Sequence, residues 1–190
     1  MDTVNGAATL TVFSDGIGVL AGWLVSCKAL GIPYLYDPSQ QIVRLEGADL
    51  REGVSGASVL IVNEYELEML KKKTGLATGE LTGLAGTSVV TLGERGSLIL
   101  SGKKEVTIPA VTPERWIDPT GVGDAFRAGL IKGMSLKEPW EVCGRMGSLA
   151  AAYVLETAGP QQHRHTPVEF YGRYASVFGE SESLKKGLGA

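Results

Sequence analysis

Short apolar runs alternate along the chain with longer segments in which apolar residues recur every three or four positions. The short runs predict strands at residues 9–13, 33–36, 58–62 and 88–91. The longer segments predict helices at residues 16–30, 64–73, 124–134, 140–157 and 167–177, with a helical turn at 48–54 and a β-hairpin over 97–109. Apolar strands separated by helices are typical of a mostly parallel sheet that is covered on both faces.

A glycine-rich motif, D-P-T-G-V-G-D-A-F, stands at residues 118–126, where one of these helices begins. Gly121 and Gly123 bracket Val122, so the backbone can bend sharply and direct several N–H groups toward one point. The helix adds its own unpaired N–H groups and the positive end of its dipole. The pattern therefore predicts an anion site, usually filled by a phosphate. Asp124 would either accept a proton from an attacking hydroxyl there or serve as a helix N-cap.

This motif resembles the signature of the ribokinase-like sugar and nucleoside kinases, the PfkB family. Every position from Asp118 to Phe126 fits the pattern D-[TP]-[TS]-G-[ACV]-G-D-[AST]-[FY]. Three further segments match family motifs in the family's order. They are D-P at residues 37–38, N-x-x-E at 63–66 and T-x-G-x-x-G at 91–96.

The resemblance implies an α/β fold, namely the ribokinase-like three-layer α/β/α arrangement around a mostly parallel sheet. It also implies an ATP-dependent kinase that phosphorylates a primary hydroxyl of a sugar or nucleoside with Mg²⁺ on the phosphates. The family's catalytic base aligns with Asp124. The backbone of Gly121, Val122 and Gly123 would stabilise the transferring phosphoryl group.

The acceptor is suggested by two segments, D-A-F-R-A-G at residues 124–129 and G-P-Q-Q-H at 159–163. Both look most like bacterial members labelled adenosine or nucleoside kinases. Arg127 occupies a position where many sugar kinases carry Asn, and its alternative interpretation is an exposed helix arginine.

The nucleotide side of the site is implied by the two remaining motifs. Asn63 and Glu66 lie three apart at the start of a helix and so share one face. They are either a cap with a first-turn acid or, as the resemblance implies, neighbours of Mg²⁺ and the ATP phosphates, with Glu66 acting largely through water. The resemblance also assigns three residues to the lining of the nucleotide site: Thr91, Gly93 and Gly96.

A monovalent cation site is implied by the start of the glycine motif. Asp118 and Thr120 resemble the loop that holds such a cation in many relatives, where a backbone carbonyl at the Thr120 position contributes. Whether this chain binds K⁺ is left open by the sequence.

Composition limits the function classes. The chain has 190 residues with 44% apolar content, enough for one domain with a core, and its net charge of −3 argues against a nucleic-acid surface. Two distant cysteines predict a reduced, cytoplasmic protein, and the longest apolar run, residues 17–25, is too short to span a membrane. His163 and His165 are predicted to be surface histidines in a loop, since no further metal ligands stand near them.

The resemblance fades at both ends of the chain. Residues 24–178 match the ATP-binding C-terminal portion of the family, residues 1–23 form a divergent leader, and residues 179–190 are predicted to be a flexible tail. The expected acceptor pocket and small β-sheet lid of the longer relatives are not recognisable. We therefore expect a chain truncated at its N-terminus, with exposed sheet edges that favour a homodimer. A catalytically inactive remnant that at most binds nucleotide is the alternative.

A second enzyme hypothesis comes from the leader. A predicted strand is followed by G-x-G-x-x-A at residues 16–21, and Asp37 ends the next predicted strand, 21 residues after Gly16. This spacing is typical of a dinucleotide-binding fingerprint with its ribose-binding acid. The alternative to a kinase is thus an oxidoreductase-like domain that binds a nicotinamide or flavin dinucleotide.

Overall fold

The computed structural model describes residues 11–13 and 17–190. These residues form six strands: β1 Thr11–Phe13, β2 Tyr34–Tyr36, β3 Val59–Asn63, β4 Thr87–Thr91, β5 Ser97–Ser101 and β6 Lys104–Ile108. The α-helices are α1 Ile17–Leu30, α2 Gly47–Val54, α3 Glu64–Thr74, α4 Thr78–Leu84, α5 Val122–Ser135, α6 Trp140–Leu155, α7 Pro167–Phe178 and α8 Glu182–Leu188. Short 3-10 helices lie at Ser39–Val43 and Gly93–Arg95.

The strands form one sheet in the order β1-β2-β3-β4-β5-β6. Neighbours from β1 to β4 are parallel, and the register pairs Asn63 at the end of β3 with Thr91 at the end of β4. Val59 to Val62 are all buried, as expected for a central strand covered on both faces. The predicted α/β fold with a mostly parallel sheet is confirmed.

The chain divides into two compact units. The sheet unit comprises the described part of Asn5–Gly93 together with Leu98–Glu105. Its core joins the helices to one face of the sheet, and its most buried members include Tyr36, Leu50, Leu60, Leu70 and Leu81.

The helical unit comprises Glu94–Ser97 and the segment from Val106 to the C-terminus. Its core is formed by α6, α7 and α8, with Met146, Leu149, Phe170, Tyr174 and Leu184 among its buried residues. Helix α5 packs against α6 at glycine positions, where the two backbones approach closely.

Several elements differ from the sequence prediction. Helix α5 begins at Val122, two residues earlier than predicted, and Gly121 stands before it with a left-handed backbone. Helix α4 was not predicted, since its two glycines weaken the helical pattern, but fully buried Leu81 anchors it. Residues 179–190, predicted to be flexible, contain α8, which Ser181 caps and fully buried Leu184 holds in the core.

Candidate active site

The glycine turn forms the N-terminus of α5 in the helical unit. Gly121 stands immediately before the helix and has a left-handed backbone with φ of 84°. A Cβ atom on Gly121 would lie 2.5 Å from the Cβ atom of Pro160, so both the conformation and the space require glycine. The backbone N–H of Val122, the first residue of α5, donates to the carbonyl oxygen of Pro119 at 3.3 Å. The N–H groups that follow it in the first turn have no partner within the helix. This end of α5 can therefore bind an anion.

Asp118 holds the glycine turn in place through both of its carboxylate oxygens. Its Oδ1 accepts from the backbone N–H of Thr120 at 2.8 Å, and its Oδ2 accepts from the backbone N–H of Gly159 at 2.9 Å. The Thr120 side chain, followed by these two backbone donors, lowers the pKa of Asp118. The carboxylate is thus engaged in fixing the turn to the segment after α6.

Asp124 is the most accessible charged group of the turn. Its side chain is 86% exposed, and its Oδ1 accepts from Nη1 of Arg127 at 3.2 Å. The Arg127 side chain is only 18% exposed, so the interpretation of this residue as an exposed helix arginine is wrong. Its Nη1 atom lies 2.9 Å from the position that a Cβ on Gly123 would take. A guanidinium therefore lies against the glycine turn beside the candidate base.

The sheet unit brings Asn63, Glu66 and Thr91 to the carboxyl ends of two adjacent parallel strands. Asn63 Oδ1 accepts from the backbone N–H of Glu66, and Glu66 Oε2 accepts from the backbone N–H of Asn63, both at 2.8 Å. These two hydrogen bonds form a complete capping box on α3. The interpretation of Asn63 and Glu66 as a helix cap with a first-turn acid is therefore correct. Ligands of open parallel sheets bind at this edge, so a second role in ligand binding is compatible with the same position.

Glu66 also borders a cavity of about 480 Å³ within the sheet unit. The Glu66 side chain is 9% exposed, and it is the one carboxylate among the lining residues. The other lining residues include Ser39, Gln40 and Arg44, which follow β2, and Tyr65 in the first turn of α3. Ser39 has a positive φ of 41°, which is strained for a residue with a side chain.

The two glycines of the T-x-G-x-x-G motif adopt backbone conformations that residues with a side chain rarely adopt. Gly93 has φ of 61° and begins a 3-10 turn directly after β4. Gly96 has φ of 90°, and a Cβ there would lie 1.9 Å from the carbonyl oxygen of Ile108. Gly93 belongs to the sheet unit and Gly96 to the helical unit, so the motif spans the point where the chain passes from one unit to the other.

Asp37, the acid of the dinucleotide hypothesis, is turned into its own loop. Its side chain is 1% exposed, and Oδ1 accepts from the hydroxyl of Ser39 at 2.7 Å and from its backbone N–H at 3.1 Å. The glycine motif of that hypothesis begins at Gly16, which lies outside the described residues. The position of Asp37 favours a structural role over ribose binding.

Neither a cluster of metal ligands nor a membrane-spanning helix is found among the described residues. Residues 11–13 and 17–190 contain no group of three or more His, Cys, Asp or Glu side chains that could hold a metal ion. Within the same ranges, every helix is too short or too polar to cross a bilayer.

Sequence reasoning missed the contact of Arg127 with the glycine turn and the contact of Pro160 with Gly121. The first could have been found from spacing, because residues three apart on a helix are neighbours and Arg127 follows Asp124 by three. The second joins positions 39 apart in the sequence, and no local pattern indicates it.

Comparison with known families gives a match over most of the chain. The model described as the pfkB family of carbohydrate kinases matches residues 18–167. A nucleoside kinase of Methanocaldococcus jannaschii is 29% identical over 131 residues, which cover 69% of this chain and 43% of that protein. A cytidine kinase of Thermococcus kodakarensis is 38% identical over 114 residues, covering 58% of this chain and 41% of that protein.

Solved structures give the same result. The chain is similar to the Burkholderia thailandensis nucleoside kinase in complex with inosine, with a TM-score of 0.88 and 33% identity. The match covers 93% of this chain and 58% of that one. The chain thus spans about half the length of the curated relatives it matches.

Proposed function

Since the chain belongs to the pfkB family of carbohydrate kinases, we propose that it transfers the γ-phosphate of ATP to a primary hydroxyl of a nucleoside or sugar. The observation that carries this proposal is the glycine turn at the N-terminus of α5, with the Asp124 carboxylate exposed beside it. Phosphoryl transfer depends mainly on positioning and charge neutralisation, and this end of α5 offers both.

The glycine turn would act on the transferring phosphoryl group. First-turn backbone N–H groups of α5 that follow Val122 donate to its equatorial oxygens, and the helix dipole stabilises their charge. The acceptor oxygen forms a bond to the γ-phosphorus as the bond to the bridging oxygen of ADP breaks. The carboxylate of Asp124 takes the proton that the acceptor hydroxyl loses.

Arg127 supports both roles from its position against Gly123. Its guanidinium donates to the Asp124 carboxylate and so restrains the orientation of that group. It also places a permanent positive charge beside the phosphate-binding turn.

Bound Mg²⁺ would neutralise the ATP phosphates. Glu66 suits it, because Mg²⁺ is usually held by one or two carboxylates together with water and substrate phosphates. The Glu66 carboxylate borders the cavity of the sheet unit, and its Oε2 atom already accepts a hydrogen bond from the backbone N–H of Asn63. Contact of Glu66 with Mg²⁺ through water therefore fits better than direct ligation. For K⁺, the carbonyl oxygen of Thr120 is the donor that we propose. Thr91, Gly93 and Gly96 remain proposed nucleotide contacts.

A nucleoside is the acceptor that the comparisons favour. The relatives from M. jannaschii and T. kodakarensis are named nucleoside kinase and cytidine kinase, and the B. thailandensis kinase was solved with inosine. Cytoplasmic location and homodimer formation stay predictions from the sequence.

Nucleotide binding without transfer is the second candidate function. It is favoured by the exposure of the Asp124 side chain, because kinases exclude water from the transferring phosphoryl group. The two candidates share the nucleotide site and differ only in turnover, so binding is measured first.

We expect Gly123→Val to weaken binding of Mg·ADP by at least about tenfold, or ~1.4 kcal/mol, in calorimetric titration. A side chain on Gly123 would displace the flexible end of Arg127 and narrow the turn while the helix remains intact. NAD serves as the control ligand and is expected not to bind.

The matched control is Gly172→Val in α7, because Gly172 is also helical and a Cβ there meets nothing within 4 Å. This variant should bind Mg·ADP as the parent does. Equal affinity in all three proteins would disprove a nucleotide site at the turn, and binding of NAD in place of ADP would support the dinucleotide hypothesis.

Glu66→Gln tests the second role of the α3 capping box. Glutamine keeps an acceptor for the backbone N–H of Asn63 but removes the charge, so stability should change little. We expect Mg·ADP affinity to fall and its dependence on Mg²⁺ concentration to weaken.

The control is Glu169→Gln, because Thr166 and Glu169 form the same capping box on α7. Glu169→Gln should leave nucleotide binding unchanged. If the two variants behave alike in the titration, Glu66 is a cap and nothing more.

A further inference from the structure

A second cavity, of about 360 Å³, lies within the helical unit and is lined by residues that the proposed kinase chemistry does not use. Its lining comes from α5, α6, the segment before α7, α7 itself and α8. The residues on which its chemistry depends are Ala125, Ala128, Lys132, His163, His165 and Phe170. The prediction of His163 and His165 as ordinary surface histidines is therefore incomplete, because both rings line this cavity.

One wall of the cavity is a group of aromatic rings. His165 stacks on Tyr153 with ring centroids 4.5 Å apart and lies 5.0 Å from the ring of Phe170. His163 extends the group, with its centroid 6.0 Å from that of His165. The Cζ atom of Arg173 lies over the Tyr153 ring, 4.7 Å from its centroid, and this contact helps to hold the ring in place. The wall thus offers fixed ring faces and edges to a planar ligand.

The lining of the cavity also includes small residues of α5 and α6. Ala125, Ala128, Gly129 and Ala150 leave the helix surfaces open to close approach by a flat group. Most of this lining is apolar, so water in the cavity is easily displaced.

Two polar groups give the cavity a preference in charge and hydrogen bonding. The Nδ1 atom of His163 is buried and has no hydrogen-bond partner within the described protein, which is unfavourable unless a ligand or water supplies one. Lys132 adds a positive charge to the lining. Burial lowers the pKa of His165, which favours the neutral form of the ring, and this form is suited to stacking.

We propose that this cavity binds a planar aromatic molecule that carries one anionic group. The ring would lie between the His163–His165–Phe170 wall and the small residues of α5. The anionic group would pair with Lys132, and a polar atom of the ligand would satisfy His163 Nδ1. A nucleoside 5′-monophosphate and a simple aromatic carboxylate or phosphate share this chemistry.

Ligand binding to this cavity can be followed by NMR of the histidine side chains. The chain contains two histidines, and both line the cavity, so every imidazole resonance in an NMR spectrum reports on it. Titration with phenyl phosphate at pH 7.5 should shift both imidazole Cε1–H signals in a saturable manner. Benzyl alcohol, which has the ring without the charge, should bind at least tenfold more weakly.

Inosine 5′-monophosphate and benzoate distinguish the sources of the ligand. Saturation by the nucleotide at a lower concentration than by benzoate would identify a nucleotide effector site. The reverse order would identify a site for aromatic acids. Gly123→Val should leave these shifts unchanged, so failure of the kinase proposal and failure of this one are separable.

Two variants test the assignment of the walls and the charge. Ala128→Trp fills the cavity from an exposed helix position and should abolish the saturable shifts. Lys132→Ala should reduce affinity for phenyl phosphate to that for benzyl alcohol, while Lys186→Ala, an exposed lysine of α8, should change neither. Absence of saturable shifts with every probe, or shifts that persist in Ala128→Trp, would overturn the proposal.

Discussion

Replacement of Asp124 by asparagine should lower kcat for phosphoryl transfer by about 10²–10⁴-fold, the usual contribution of a general base. Affinity for Mg·ADP should stay close to that of the parent chain, because the backbone N–H groups of the glycine turn are unchanged. The side chain is 86% exposed and contacts the guanidinium of Arg127, so the substitution leaves no buried group without a partner. The effect should therefore appear in kcat and not in stability.

The measurement is a coupled assay of ADP release with a panel of nucleosides and sugars as acceptors, together with calorimetric titration of Mg·ADP. Asp49→Asn is the matched control, since Asp49 is also an exposed first-turn acid, on α2. This control should retain full activity. Activity that survives in Asp124→Asn would show that Asp124 is only a first-turn acid, and binding without activity in the parent chain would favour the second candidate function.

Gly129→Ala should lower the free energy of unfolding by about 1–3 kcal/mol or more, as expected when atoms are forced into a packed interface. A Cβ on Gly129 would lie 2.5 Å from the carbonyl oxygen of Met146 and 2.9 Å from Cα of Gly147. These are backbone atoms of α6 and cannot rotate away, so the two helices must separate. Urea unfolding measures the change directly, and each kcal/mol corresponds to roughly 2–4 °C in Tm for a chain of this size.

The same substitution at Gly172, Gly172→Ala, is expected to have the opposite effect on the free energy of unfolding. Gly172 is in α7, it is exposed, and a Cβ there meets nothing within 4 Å. Alanine should therefore raise stability by about 0.5–1 kcal/mol through its better helix propensity. Equal effects at the two positions would mean that α5 and α6 do not pack as closely as the structure has them.

Much of the fold could be predicted from local patterns. The four apolar runs correspond to β1–β4 within two residues at each end, and the hairpin corresponds to β5 and β6. Gly75, with its left-handed backbone, ends α3 as its position after three lysines indicates. These features depend on neighbours in the sequence, and their signals are therefore present in the chain itself.

The elements that were missed depend on distant contacts. Gly121, which precedes α5, has a left-handed backbone and lies against Pro160, 39 residues further along the chain. Helix α4 contains two glycines and gains its stability from the buried Leu81. A weak local preference is overridden when burial in the tertiary structure contributes more than propensity.

The residues of the candidate site also divide into those that local motifs identify and those whose contacts required the structure. The glycine turn, Asp124 and the capping pair Asn63 and Glu66 are contiguous motifs, and the sequence by itself was enough to identify them and the family. The contact of Arg127 with the turn and the two hydrogen bonds of Asp118 were not predicted and were found only in the folded chain.

The sequence by itself determined the fold class, the family and the position of the glycine turn, because each is encoded in short patterns of residue type and spacing. Only the tertiary structure decided that Gly159 anchors Asp118 and that His163 and His165 line a cavity with Phe170 and residues of α5. These contacts join segments separated by tens of residues. Their geometry is set by how α5, α6 and α7 pack, and no local pattern in the chain records that packing.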